Sequence, residues 1–205
     1  GMTELRDSGV MIQLAHQAML KMGLDVDAVF ARLGVTPELL ADRNIRTPHE
    51  AQLIFWHVLE EVSQDADIGL HLGEHMPVYK GQVLQYLFLS SPTFGEGLKR
   101  ALNYQRLLSD ASQASTGTEG DQAYILVESA SDRVAGLRHL NECMALGLIR
   151  FFRYVTDDAF APSCVHFSHE KPADSAEHER IFACPVLFDQ EDNRIYFNTQ
   201  LLDMP

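Results

Sequence analysis

Apolar side chains recur every three or four residues through VMIQLAHQAMLKM, and the spacing predicts a helix over residues 10–22 that Gly23 stops. Residues 25–41 divide at Gly34 into two short helices, the second opened by Thr36 and Pro37. Thr47-Pro48-His49-Glu50 reads as a further helix start, with Thr47 as N-cap, Pro48 in the first helical position and Glu50 completing a capping box. That helix is expected to run to about Ser63 and to bury Leu53, Trp56, Val58, Leu59 and Val62. A shorter helix follows from Asp67 to about His75, ended by Pro77. An apolar helix over 80–89 comes next, then a longer one from Pro92 to about Leu108.

After residue 110 the period changes. Residues 111–118 and 122–129 carry strand chemistry on either side of the GTEG turn at 117–120, which predicts a hairpin. Residues 132–155 are apolar on nearly all sides and read as one long buried helix. Strands are expected at 163–168 and 193–198, with a short helix at 174–183 between them. The fold class that follows is α+β, mostly helical, with a small mixed or antiparallel sheet from residues 111–129 and 163–198. Without a linker, repeat or low-complexity stretch, residues 1–205 read as one unit.

Composition narrows the function. A hydrophobic share of 46% with 22% charged residues is that of a folded globular chain. No apolar run reaches the ~18 residues of a membrane span. The opening GMTELRDSGV lacks the basic and apolar regions of a secretory signal. Cys143, Cys164 and Cys184 form no C-x-x-C pair, which disfavours a disulfide framework or zinc ribbon and points to the reducing cytoplasm. Sixteen Lys and Arg against 29 Asp and Glu leave a net charge of −13 with no basic stripe, so residues 1–205 are not expected to bind DNA.

The sharpest local pattern is His71-Leu72-Gly73-Glu74-His75, which fits the H-x-x-E-H arrangement of inverted zinc proteases. Gly73 weakens that helix and Pro77 ends it just beyond, a poor place to hold ligands rigidly. A zinc-dependent hydrolase using His71, Glu74 and His75 is therefore the competing reading, and neither a metal nor a cofactor is assigned. On the long helix, Arg138, Asn141 and Glu142 lie among Leu137, Leu140, Ala145, Ile149 and Phe152. A glutamate there either pairs with Arg138 one turn back or anchors a ligand in an apolar pocket. Tyr86, Arg106 and Tyr154, with Tyr79 and Tyr104, are further candidates for lining a cavity. In CVHFSHE, Val165 and Phe167 alternate with His166, which is expected on the solvent face. G-x-S-x-G, G-x-x-x-x-G-K-[ST] and G-x-G-x-x-G are all missing, so the chain is not read as an enzyme.

Three blocks together resemble a known family: GQVLQYLFLSSPTFGEGLKRALNYQRLL at 81–108, LRHLNECMALGLIRFFR at 137–153, and CVHFSHEKPADSAEHERIFACPVLFDQEDNRIYFNTQLLDMP at 164–205. In that order they are similar to the N-terminal, arabinose-binding-type sensory domain of AraC/XylS-family transcriptional regulators, in the branch that includes regulators resembling the ornithine-utilisation regulator. The resemblance implies an effector-sensing domain that binds an amino acid, fatty acid or other small metabolite. It also implies a C-terminal helix-turn-helix segment, absent from these residues, through which DNA would be bound, with Leu201–Pro205 as the junction. Effector binding would bias contacts with that segment, or homodimerisation, by differential affinity for two states. No ligand motif carries over, so the assignment of Arg138, Asn141, Glu142, Tyr86, Arg106 and Tyr154 rests on the residues themselves. A domain kept only for dimerisation is the remaining alternative.

Overall fold

The computed structural model describes residues 6–8, 10–41, 46–48, 51–78, 82–104 and 112–205. Its first half is helical. Helix α1 (Val10–Lys21) ends at Gly23, whose φ of 72° suits a residue without a Cβ. Helix α2 (Val26–Leu33) is capped by the Asp25 side chain, which accepts from the Ala28 N–H at 3.1 Å, and is stopped by Gly34. Helices α3 (Pro37–Ala41), α4 (Ala51–Ser63) and α5 (Ile68–His75) follow. Met19, Val29, Trp56, Leu59, Ile68 and Leu72 form the core among them.

The start of α4 differs from the sequence reading. Arg46–Pro48 form a strand (β2) antiparallel to Arg6–Ser8 (β1), and the helix begins only at Ala51. A two-stranded ribbon has only edges, where proline is admitted because its missing N–H is not needed. His49 and Glu50 lie outside the described residues.

Helices α6 (Gln82–Leu89) and α7 (Phe94–Tyr104) lead into the hairpin of β3 (Ser112–Glu119) and β4 (Gln122–Ser129). The expected extension of α7 to Leu108 falls on residues 105–111, outside the described ones. Glu119 pairs with Gln122 across a two-residue turn, and Gly120 supplies the positive φ of 63° that such a turn needs.

The long helix expected over 132–155 is two. Helix α8 (Asp132–Ala135) stops at Gly136, and α9 (Arg138–Val155) starts after Leu137. The Asn141 side chain donates its Nδ2–H to the freed Ala135 carbonyl at 2.9 Å, which satisfies the broken end. Helix α5 lies along α9 at very close approach: a Cβ on Gly69 would stand 2.4 Å from the His139 carbonyl oxygen. Arg150 of α9 donates to the Gly73 and Met76 carbonyls and so caps the C-terminal end of α5.

The remaining strands are β5 (Cys164–His166), β6 (Val186–Leu187) and β7 (Asn193–Asn198), with α10 (Ala176–Phe182) between β5 and β6. The sheet order is β3-β4-β7-β5-β6, antiparallel except for the parallel pair β5–β6. Strand β6, two residues long, leaves no periodicity to read. A parallel neighbour requires a crossover, and α10 lies within it. One sheet face packs on α6, α7 and α9 around Phe88, Phe94, Phe152, Phe160 and Phe197, with neighbouring rings 5.2–6.3 Å apart. The chain closes in a 3-10 turn at Thr199–Asp203, whose end is tied back by the Phe94 N–H donating to the Met204 carbonyl at 2.7 Å.

Candidate functional site

The first turns of α9, the crossover helix α10 and the segment after β5 meet at one carboxylate. Glu142 is fully buried, and three donors converge on its Oε2: His178 Nε2 at 2.5 Å, His169 Nε2 at 3.0 Å and Arg138 Nε at 3.3 Å. A carboxylate only accepts, so each histidine places a proton on Nε2 and donates it. Burial on its own pushes the Glu142 carboxyl upward. The hydrogen bonds from His169 and His178, with the charges of His178 and Arg138, outweigh it and hold the group at about 2. Arg138 also donates to the Ala66 carbonyl at 2.7 Å and to Asp67 Oδ1, which locks the start of α9 to the turn before α5.

The cluster is not saturated. Among the described residues, Glu142 Oε1, His169 Nδ1 and His178 Nδ1 are buried without a hydrogen-bond partner. Buried polar groups in folded chains are nearly always paired, so three orphans around one carboxylate call for an explanation. Phe rings wall the site: Phe167 stacks on His169 at 4.9 Å, and His178 meets Phe188 edge-on at 5.2 Å. Beside α10 lies an open cleft of about 220 Å³, lined by Lys171, Ser175, His178, Glu179, Phe188 and Gln190 among others. His178, itself fully buried, thus links the lining of that cleft to Glu142.

The structure distributes the residues singled out from sequence. Arg138 and Glu142 join in the cluster. Asn141 is buried beside them, spent on the Ala135 carbonyl, and lines a cavity of about 10 Å³ with His166 and Arg194. Tyr86 is 68% exposed on α6. Tyr154 is 38% exposed, its hydroxyl accepting from Gln85 Nε2 at 3.0 Å. By helical rise it lies about 18 Å along α9 from Glu142. Arg106 and Tyr79 fall outside the described residues. Val165 and Phe167 are buried as the alternation predicts, while His166 is half-buried with its ring 4.8 Å from that of Tyr196. His169, His178 and Asp67 escaped the sequence reading. The one available signal was a glutamate on a buried stripe with a single cation within reach.

His71, Glu74 and His75 do not share a centre. His71 points Nδ1 at Asp65 Oδ2 (2.5 Å) and Nε2 at Glu177 Oε1 (2.6 Å), so neither ring nitrogen offers a lone pair to a metal. Glu74 receives Arg180 at 3.1 and 3.2 Å, and His75 Nδ1 donates to the His71 carbonyl. Among the described residues, no group of three or more His, Cys, Asp or Glu is placed to hold a metal ion. No described helix is long and apolar enough to cross a membrane.

Comparison with known proteins supplies the context for this geometry. The ornithine utilization regulator of Pseudomonas aeruginosa is 21% identical over 183 residues, which cover 89% of this chain and 54% of that protein. The crystal structure of the transcriptional regulator CdpR, also from Pseudomonas aeruginosa, shares the fold with a TM-score of 0.58. The identity is 19%, over 86% of this chain and 54% of the other. The chain therefore spans about half the length of each. Residues 23–205 match the family described as the N-terminal arabinose-binding domain of AraC transcription regulators, and the chain belongs to that family.

Proposed function

We propose that this chain is the effector-sensing domain of an AraC-type transcription regulator, and that the effector enters the cleft beside α10 and is read by the Glu142 cluster. The observation that carries this reading is a fully buried carboxylate with one unpartnered oxygen, flanked by two histidines with unpartnered nitrogens, one of which, His178, also contributes to the lining of an open cleft. Ligand sites combine apolar walls with a few placed polar groups, and the Phe167–Phe188 surround with Glu142, His169, His178 and Arg138 has that composition. At about 220 Å³ the cleft is smaller than the ~300–1,000 Å³ of drug-sized pockets, which suits a small metabolite. Asn141 supports the site by fixing the start of α9, and Arg138 by fixing the carboxylate. Tyr86 and Tyr154 are assigned no direct part in it.

In this reading the protein works in the cytoplasm without catalysis. An effector that favours one arrangement of α9 and α10 biases dimerisation, or contacts with a DNA-binding segment, by its differential affinity. Charge agrees: at −13 these residues repel DNA rather than bind it. The kinship with a regulator of ornithine utilization makes amino acids the first effector class to try.

The test is a thermal-shift screen of amino acids, polyamines and fatty acids, repeated on Lys171→Ala/Glu179→Ala. A ligand at 100 times its Kd adds about 2.7 kcal/mol of stability, and a saturable rise in Tm of several degrees is expected from one class. The double variant, altered only at the cleft, should fold normally and lose that rise. A rise unchanged in the double variant would place the effector elsewhere.

A further inference from the structure

The segment α10 is held by a closed circuit of polar contacts that has two histidines in its path, His71 and His178. Glu177 and His178 are neighbours on α10. Glu177 reaches His71 on α5 (2.6 Å), and His178 reaches Glu142 on α9 (2.5 Å). The circuit closes behind them. His71 meets Asp65, Asp65 Oδ1 accepts the Asp67 N–H at 2.9 Å, Asp67 pairs with Arg138, and Arg138 pairs with Glu142. Apart from Arg180, which joins Glu177 and Glu74 at the exposed rim, these are the polar ties of α10 to the body of the fold among the described residues.

His71 sits between two carboxylates, each within 2.6 Å of one ring nitrogen. Both partners only accept, and a neutral imidazole has only one N–H. Both contacts are therefore satisfied only by the doubly protonated ring. Remove one proton, and a lone pair faces a carboxylate oxygen at hydrogen-bond distance.

We propose that His71 is a proton-operated clamp: as imidazolium it holds α10 closed over the buried Glu142 cluster, and loss of its proton loosens α10 and exposes that cluster to the cleft. This rests on the reading of that cleft as the effector site and adds its regulation. The groups around the ring are consistent with it. On its own helix stand Glu74 and His75, bonded to Arg180 and to the His71 carbonyl. The preceding turn brings Asp65 and Asp67, and α10 brings Glu177, His178, Glu179 and Arg180. Helix α9 brings Arg138, Glu142 and Arg150, bonded to Asp67, the two histidines and the end of α5. Helix α4 carries Glu60, bonded to His139, and Glu61, bonded to Arg32 and His57. Helix α1 carries His16, its ring tilted against that of Phe30, and Lys21.

Burial alone pushes the His71 ring down from 6.5, but the hydrogen bonds and charges of Asp65 and Glu177 outweigh it and raise it. A raised histidine contributes its stabilisation in full below about 6.5 and loses it as the pH rises through the folded-state value. The clamp is thus shut in mildly acidic solution and loosens toward alkaline pH.

The experiment needs no effector. Long-range ¹H–¹⁵N spectra of the histidine rings, with hydrogen exchange of residues 176–182, are recorded across pH for the wild type, His71→Gln and Glu177→Gln. Both His71 ring nitrogens should carry protons at pH 6. After correction for intrinsic exchange, protection of α10 should fall by about tenfold per pH unit above the His71 titration while that of α9 stays level. Either variant should give low protection with no pH slope, and the second keeps the test available where the first misfolds. A neutral His71 at pH 6, or the same pH slope in a folded variant as in the wild type, overturns the clamp. If the clamp behaves as described and no compound in the screen binds, the clamp stands and the effector reading fails, so the two are separable.

Discussion

Replacing Glu142 with glutamine tests the electrostatic account of the cluster at its centre. The change keeps the shape of the side chain and removes one charge from a site that water does not reach. In the folded chain the carboxyl sits at about 2 against an ordinary 4.5. Each pKa unit is about 1.4 kcal/mol, so the charged form contributes about 3 kcal/mol at neutral pH. The sign follows from the direction. A depressed carboxyl contributes fully above about 4.5, and the contribution is lost as the pH falls toward about 2. Glu142→Gln is therefore expected to be about 3 kcal/mol less stable at pH 7, with the difference narrowed by about 1 kcal/mol at pH 3.5. In a chain of this size that difference lowers Tm by roughly 6–12 °C.

The assay is urea unfolding followed by far-ultraviolet circular dichroism at pH 7, 5 and 3.5, with unchanged m-values required for comparison. The amide can still accept from one histidine, but its N–H₂ group then takes the place of the unpartnered Oε1 and adds buried donors. Both effects act in the same direction. A variant within about 0.5 kcal/mol of the wild type at pH 7 would refute the reasoning, since exposed substitutions away from special features behave that way. A difference that stays constant down to pH 3.5 would show that packing, not charge, carries the effect.

Two further outcomes follow from the packing. Gly69→Ala places a methyl 2.4 Å from the His139 carbonyl oxygen and 2.6 Å from its Cα, both backbone atoms that cannot step aside, so a loss of about 3 kcal/mol is expected in urea unfolding. A loss under about 1 kcal/mol would mean that α5 and α9 can separate more easily than their contact suggests. The Cys143 thiol, buried and pushed up to about 12, should resist a thiol-specific reagent at pH 8 in the native chain and react on unfolding. Modification of Cys143 as fast as that of a free thiol would place it outside the core.

What could be read from the sequence was local. Gly23 and Gly34 stop α1 and α2 by their own conformational freedom, and the hairpin at Gly120 needs only its neighbours. Glu142 stood out because Arg138 lies one turn before it on the same helix face. The rest of the site arrives from a distance. His169 and His178 come from 27 and 36 residues further along and are delivered by a crossover between β5 and the two-residue strand β6. No periodicity announces so short a strand, and no spacing links those histidines to the glutamate. The break at Gly136 and Leu137 was missed for a related reason. Apolar residues run through it without interruption, and the Asn141 side chain that stabilises the break is visible only once the chain has folded.

The missed histidines also change what the Arg138–Glu142 pair means. An isolated ion pair at helical spacing would be a modest structural feature, exchangeable for two well-packed apolar side chains with little loss or even a gain. Here the carboxylate instead joins three separate segments of the chain: the start of α9, the segment after β5 and the crossover helix α10. Apolar residues could fill the same space, but their contacts are non-directional and would not tie the position of α10 to a single atom on α9. Under the proposed function, this directional, charge-dependent junction would convert a change at His178 in the cleft lining into a change at α9. The helix α9 spans both hydrophobic cores, contributing Leu140 and Cys143 to one and Leu146, Ile149 and Phe152 to the other. A shift imposed on Glu142 therefore cannot stay local: it must either be absorbed by repacking both cores or move them relative to each other, and close-packed interiors resist the first.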